Sequence, residues 1–358
     1  MLPYLFILLL IVFFTVFDGS RFEKIFFSSL VIVVFIFVGF RFGGTGLADY
    51  FAYLRFYNVV NNFDEVLNPT VHAEIGFRLT SYIGNYLGFS SQYIIVVMAF
   101  LSIFTVGYVI YRYSDYKILS LLVWLPYILT MNMQSSRISV AAGFGLLFII
   151  FFYKKDYIKS ILFFLLAMSF HSSAICLATI FITRLKLNTL FIYVIVSFFI
   201  GYLFSPFLII TDMLNSLGLH QIAWMVSSYS TSEDYGYPMK IYDPRILLAF
   251  LSVLLLHNIR SSINSSFYQY LVKVYYIGMI LFFFLSKNTI MTWRISYLFL
   301  LTGVLVLPFL CKYYNLKYYR VFSGRVMSVF YVFLYLLYSL SLIVMAQSYN
   351  FYFFSEGL

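Results

Sequence analysis

Hydrophobic positions along this chain fall in long unbroken runs, not in strand-like alternation or a narrow helical stripe. Runs of helical length, closed at each end by a charge or a turn residue, predict membrane helices. They cover residues 2–17, 24–40, 92–111, 118–133, 138–153, 158–170, 173–183, 189–210, 246–258, 267–286, 291–310 and 326–347. That gives about twelve crossings (10–12), since a span takes roughly 20 apolar residues. The pair flanking His171 is short for two ordinary spans. It reads either as two short helices meeting at mid-depth or as one broken helix. Irregular backbone at that depth is tolerated only against protein or a water-filled cavity. The expected fold is an all-α integral membrane protein, a single polytopic domain over 1–358 with no internal repeat.

Positive residues set the expected topology. Arg21 and Lys24; Arg112 and Lys117; Lys154, Lys155 and Lys159; Arg184 and Lys186; Arg260; and Lys312, Lys317, Arg320 and Arg325 all fall on one side if the spans alternate. That side is read as cytoplasmic, which leaves both termini outside. The long segments 41–91 and 211–245 then lie on the outer side. Stretches 62–71 and 231–238 read as exposed turns. Within 41–91, Asp49, Tyr53 and Tyr57 recur at one-turn spacing, as do Glu74 and Arg78, so helix is expected there. The N-terminus lacks a basic leader and a small-residue cleavage site, so the first run is expected to be retained.

Composition reinforces this picture. The chain is 63% hydrophobic and 10% charged, against about 45–50% and about 25% in soluble domains. Lipid must therefore be the solvent for most of it. A net charge of +10 would suit nucleic acid, but its placement in short loops between apolar runs assigns it to topology instead. Cys176 and Cys311 sit within or at the end of apolar runs and read as packing residues. His72, His171, His220 and His257 show no metal-ligand spacing.

The polar residues on the outer side are unusual. Arginine dominates there: Arg41, Arg55, Arg78, Arg137, Arg245 and Arg294, beside Lys240 and Lys287. Its rigid fork binds phosphate through two bonds and stays charged. The plainer reading of any one of them is snorkelling at the interface with a local ion pair. Residues 39–50 carry Arg41, a glycine-rich turn and then Asp49 opening an aromatic helix. Such a turn lets backbone N–H groups approach an anion; otherwise it is a simple helix stop and restart. Glu74 and Arg78 have the spacing of a helical ion pair. Ser135 or Ser136 can cap the span that follows, leaving Arg137 in its first turn, where a cation opposes the helix dipole. An anionic partner for Arg137 is therefore expected. Pro244 and Arg245 open another span, and Arg294 a third. His171 lies where the chain must turn within the apolar zone, suited to acid, base or phosphate-donor duty or simply to a structural hydrogen bond.

Taken in order, the stretches from Arg41 to Tyr50, Glu74 to Phe77, Arg137 to Ala141 and Phe170 to Ala174 resemble the EpsG-like branch of the Wzy polysaccharide polymerases. Gly43 and Gly44 supply one more glycine before Thr45 than the usual pattern. The resemblance covers most of the first half of the chain and is weak over 211–245 and towards the C-terminus. It implies a GT-C-like helical bundle in the bacterial cytoplasmic membrane and a glycosyltransferase acting on its outer face. The donor would be a glycan on undecaprenyl pyrophosphate. The acceptor would be the non-reducing sugar of the next lipid-linked repeat unit, and chain length would be set with a Wzz-type co-polymerase.

That chemistry needs charge stabilisation of the leaving pyrophosphate. Arg137 and Arg245 are the leading candidates, with Arg41 and Arg294 in support. Asp49, Glu74 or His171 would act as base, and Tyr50, Tyr53 and Tyr242, with Tyr57 and Tyr229, would stack on sugars. No cofactor or metal is expected, so activity should persist in excess EDTA. The rivals are an O-antigen ligase, which uses the same donor on a lipid A core acceptor, and a flippase. A flippase would need a cationic cavity open to both faces and commonly has repeated halves.

Overall fold

The computed structural model describes residues 1–43, 47–68, 71–204, 206–231, 237–317 and 325–354. The glycine turn at 44–46, Arg320, most of the 231–238 turn and the side chain of Tyr229 lie outside these residues. Contacts divide the chain into two compact units, Met1–Ile175 with Gly303–Leu358, and Cys176–Thr302.

The first unit opens with α1 (Leu2–Phe14) and α2 (Glu23–Gly39), followed by strand β1 (Arg41–Gly43). The segment 41–91 holds three helices, α3 (Leu47–Val59), α4 (Phe63–Leu67) and α5 (Ile75–Tyr86). Then come α6 (Gln92–Tyr113), α7 (Lys117–Tyr127), α8 (Ser136–Tyr153) and α9 (Tyr157–Phe170). The second unit contains α10 (Leu187–Leu203), α11 (Pro206–Ser216), α12 (His220–Thr231), α13 (Pro244–Asn258), α14 (Ser266–Phe284) and α15 (Thr289–Leu300). The chain returns to the first unit through α16 (Gly303–Lys317) and α17 (Val326–Val344), ending in strand β2 (Tyr349–Phe351).

The protein is an all-α polytopic membrane protein. Each run predicted from hydrophobicity carries helix. Among the described residues, α6, α8, α14 and α17 are each long and apolar enough to cross a bilayer unbroken. The other runs are shorter or interrupted. The run at 189–210 breaks between α10 and α11, where Pro206 starts the second helix and Phe204 is already extended; a proline disfavours helix just before it. The run at 291–310 divides into α15 and α16 at Leu301 and Thr302. Pro126 sits inside α7, and the helix widens into a π-turn at Ile128–Asn132.

The segment after His171 resolves its length problem in an unexpected way. Ser172–Arg184 is a 13-residue 3-10 helix. At about 2.0 Å per residue, against 1.5 Å in an α-helix, it reaches about a third further than its residue count suggests.

Two ends of the first unit are defined by polar contacts. At one end the Asp18 carboxylate accepts from the Ile118 and Leu119 N–H groups, both at 2.8 Å, and Glu23 accepts from the Lys117 N–H at 2.7 Å. These carboxylates satisfy the orphan donors of the first turn of α7. Arg325 donates to the Val16 carbonyl at 2.6 Å, and Lys312 pairs with Asp115 at 2.7 Å. Several loops expected to share the Lys/Arg-rich side therefore meet here. Burial pushes the Asp18 carboxyl well above the ordinary aspartate value. The Ile118 N–H pulls the other way, and the charge of Glu23 adds to the rise.

At the opposite end β1 pairs antiparallel with β2, Arg41 facing Phe351 and Gly43 facing Tyr349. Tyr349 stacks on Phe37, centroids 4.6 Å apart, and donates to the Phe37 carbonyl at 2.8 Å. The last strand thus ties the end of the described chain to the last turn of α2.

Candidate functional site

Three of the motifs singled out in the sequence converge on Glu74. This residue precedes α5 in extended conformation (φ −70°, ψ 159°) and makes no capping bond to its own helix. Its side chain reaches across. Oε2 accepts from Arg137 Nη1 at 2.5 Å, and Oε1 accepts from the Ser172 N–H at 3.2 Å. One carboxylate therefore joins the start of α8 to the turn that follows α9. The expected Glu74–Arg78 pair is not formed, because Glu74 lies outside the helix and the one-turn geometry does not apply. Arg78 instead donates to the Asn68 carbonyl.

The neighbours of Glu74 explain the rest of its motif. A Cβ on Gly76 would lie 2.7 Å from both the carbonyl oxygen and the hydroxyl of Ser169. Only glycine lets α5 sit this close to the end of α9. Phe77 is fully buried, and its ring lies 5.9 Å from the Arg137 guanidinium. Tyr53 flanks the same guanidinium at 5.7 Å and meets Phe77 with centroids 5.6 Å apart. Two aromatic rings thus hold Arg137 in place, an arrangement that suits arginine and not lysine. Arg137 Nη1 also donates to the His72 carbonyl at 3.2 Å. Its Nε is buried and unpaired among the described residues. Burial, offset by the charge of Arg137, holds the Tyr53 phenol above its ordinary value, so it stays neutral.

Neither serine caps α8 with its side chain, contrary to expectation. The preceding π-turn brings the Asn132 carbonyl within 3.0 Å of the Ser136 hydroxyl, which donates to it. The Ser135 hydroxyl turns instead to Asp49 Oδ2, at 3.5 Å. Asp49 occupies the first turn of α3 and is half-buried. Asp49, Glu74, Arg137 and His171 therefore share one neighbourhood.

His171 ends α9 in extended backbone. The Ser173 N–H donates to its Nδ1 at 3.2 Å, and the Ser173 hydroxyl lies 2.8 Å from the same atom. A ring nitrogen that accepts an N–H carries a lone pair, so the neutral ring holds its proton on Nε2. In that tautomer Nε2 is a donor.

Arg41 is 1% exposed. It donates to the carbonyls of Val38 and Met133, each at 2.8 Å, and lies 5.7 Å from the Tyr50 ring. Burial brings its pKa down to about 10, so it remains charged at neutral pH. Tyr50 donates to Gln92 Oε1 at 2.7 Å, while Gln92 Nε2 donates to the carbonyls of Gly39 and Arg41 at 2.9 and 3.1 Å. Gln92 is the residue that sequence reasoning missed; its one signal is an amide at the first turn of an apolar span. Arg41, Tyr50 and Gln92 form a brace that joins the end of α2 to the starts of α3 and α6. Burial lifts the Tyr50 phenol to about 12.

The second unit repeats the arginine–carboxylate theme. Asp243 caps α13, accepting from the Arg245 N–H at 2.9 Å. The same carboxylate takes Arg245 Nε at 2.8 Å and Nη2 at 2.5 Å, a two-bond fork. The guanidinium lies 5.6 Å from the Trp293 ring, and Arg294, half-buried, follows on α15. Of the three tyrosines leading the sugar assignment, Tyr50 and Tyr53 are buried against arginines, whereas Tyr242 is 71% exposed. The four arginines assigned to pyrophosphate divide evenly: Arg41 and Arg137 in the first unit, Arg245 and Arg294 in the second.

No curated protein and no solved structure matches this chain. A family model does, across residues 24–355, nearly the whole sequence, and on that match the chain belongs to the EpsG family.

Proposed function

We propose that this protein is a polysaccharide polymerase, a glycosyltransferase of the bacterial cytoplasmic membrane working on its outer face. It transfers a growing glycan from undecaprenyl pyrophosphate to the non-reducing sugar of a new lipid-linked repeat unit. The acceptor hydroxyl oxygen forms the bond to the anomeric carbon and gives up its proton to a base. The bond from that carbon to the pyrophosphate oxygen breaks, and the carrier pyrophosphate leaves with the electron pair.

The observation that carries this reading is the junction of Glu74, Arg137 and the Ser172 N–H, with His171 beside it. It gathers a preorganised guanidinium and backbone N–H at the ends of membrane helices, as a departing diphosphate requires. Family membership supports the same reading. Arg137 neutralises the leaving diphosphate, and His171 supplies a further donor through Nε2. Asp49, half-buried and within reach of the same neighbourhood, is the base. Tyr242 offers its open ring to a sugar, and Arg245 with Arg294 supports the second diphosphate.

The test is turnover by the purified full-length protein with a synthetic polyprenyl-pyrophosphate repeat unit as both donor and acceptor. A ladder of lipid-linked products, with release of polyprenyl pyrophosphate, is expected. Transfer only when a lipid A core is supplied would instead make the protein a ligase. Movement of the intact substrate across vesicles without transfer would make it a flippase.

A further inference from the structure

We infer that the Glu74 carboxylate is the resting occupant of the anion site on Arg137, and that a diphosphate takes this site by displacing it. The inference rests on the reading of Arg137 as a pyrophosphate residue and adds a gate to it. Glu74 is thereby a positioning residue.

Three features point this way. The Glu74 side chain makes no bond to its own helix; among the described residues its carboxylate is anchored by donors from elsewhere, Arg137 Nη1 at 2.5 Å and the Ser172 N–H at 3.2 Å. A guanidinium and a backbone N–H are the same donors that bind phosphate oxygens, so carboxylate and diphosphate compete for one geometry. The carboxylate also leaves the site underfilled. It takes one terminal nitrogen of Arg137, while Nε is buried and unpaired among the described residues and α8 has no serine cap on its first turn. A diphosphate has more oxygens and more charge to offer those donors.

The gate has a physical logic. An arginine fixed between Tyr53 and Phe77 without an anion would be an uncompensated charge at the membrane. Glu74 neutralises it until substrate arrives.

Binding of inorganic pyrophosphate to the full-length protein in detergent, at constant ionic strength, tests the gate. Glu74→Gln should bind pyrophosphate about tenfold tighter than wild type or more, because an amide does not compete for the guanidinium. Glu74→Asp, one methylene too short to span both donors, should also bind tighter than wild type. Asp64→Asn removes the same charge from an exposed position and should change affinity less than twofold. Arg137→Gln should abolish binding. Affinity in both Glu74 variants equal to or below wild type, with Arg137→Gln still abolishing it, would overturn the gate and leave the arginine site standing. A gain in Asp64→Asn equal to that in Glu74→Gln would also overturn it, as a general charge effect. Binding unchanged in Arg137→Gln would remove the site and the gate together.

Discussion

At the scale of single residues, the Arg137 guanidinium lies in the first turn of α8, where the helix dipole opposes it, and the Glu74 carboxylate offsets that charge from 2.5 Å. A cation in the first turn of α8 called for an anion, and the structure supplies Glu74. The identity of that partner was hidden because 63 positions separate the two residues, and because Glu74 had a nearer suitor in Arg78. Gly76 shows the same limit: its need for glycine comes from Ser169, on a helix far along the chain. Alanine at Gly76 should destabilise the protein by about 1–3 kcal/mol through overpacking, read as a lowered unfolding midpoint in detergent. The tautomer of His171 makes a sharper test. Gln at this position can present a donor near Nε2 but cannot act as base. His171→Gln should keep polymerisation within about tenfold of wild type, while His171→Ala loses about 100-fold, in the range for a lost oxyanion donor. Equal loss in both, with folding intact, would return His171 to the base role.

At the scale of elements, unbroken apolar runs located the helices that lipid surrounds, but gave no sign of α12, which lies in the 211–245 segment between two runs. They could not show where backbone geometry departs from the α-helix. The 3-10 stretch after His171, the break before Pro206 and the π-turn before α8 leave the apolar pattern intact. Nor could it see the pairing of β1 with β2, two strands of three residues at opposite ends of the chain. Tyr349→Ala should remove the stack on Phe37 and loosen the Arg41 brace, at about 1–2 kcal/mol for a half-buried ring that loses this aromatic pair and one hydrogen bond. The measurement is the unfolding midpoint together with protease sensitivity of the C-terminus. At the other end, Asp18 carries a pH signature. Its folded-state pKa is raised, chiefly by burial. The stability it contributes is complete below the ordinary aspartate value of about 3.9 and is lost as pH rises from there through the raised value. Asp18→Asn should therefore flatten the pH dependence of the unfolding midpoint across that window. An unchanged slope would show that Asp18 does not titrate there.

At the scale of the whole molecule, charge placement anticipated which loops keep company. Asp18, Glu23, Lys117, Asp115, Lys312 and Arg325 meet at one end of the first unit. Arg41, Gln92, Glu74 and Arg137 gather at the other. The division into two units was not legible, since both are built of the same apolar helices and no linker composition marks the boundary. Each unit has its own arginine–carboxylate pair, Arg137 with Glu74 in the first and Arg245 with Asp243 in the second. Surface glycan electrophoresis in the native host is the most direct test of the polymerase reading. It compares a deletion of this gene with plasmid-borne wild type and Arg137→Ala at matched membrane levels. The expected result is a core bearing a single repeat unit in the deletion, a full ladder restored by wild type, and no ladder with Arg137→Ala. A full ladder with Arg137→Ala would contradict the site, and a deletion that leaves no repeat unit on the core would contradict the polymerase itself.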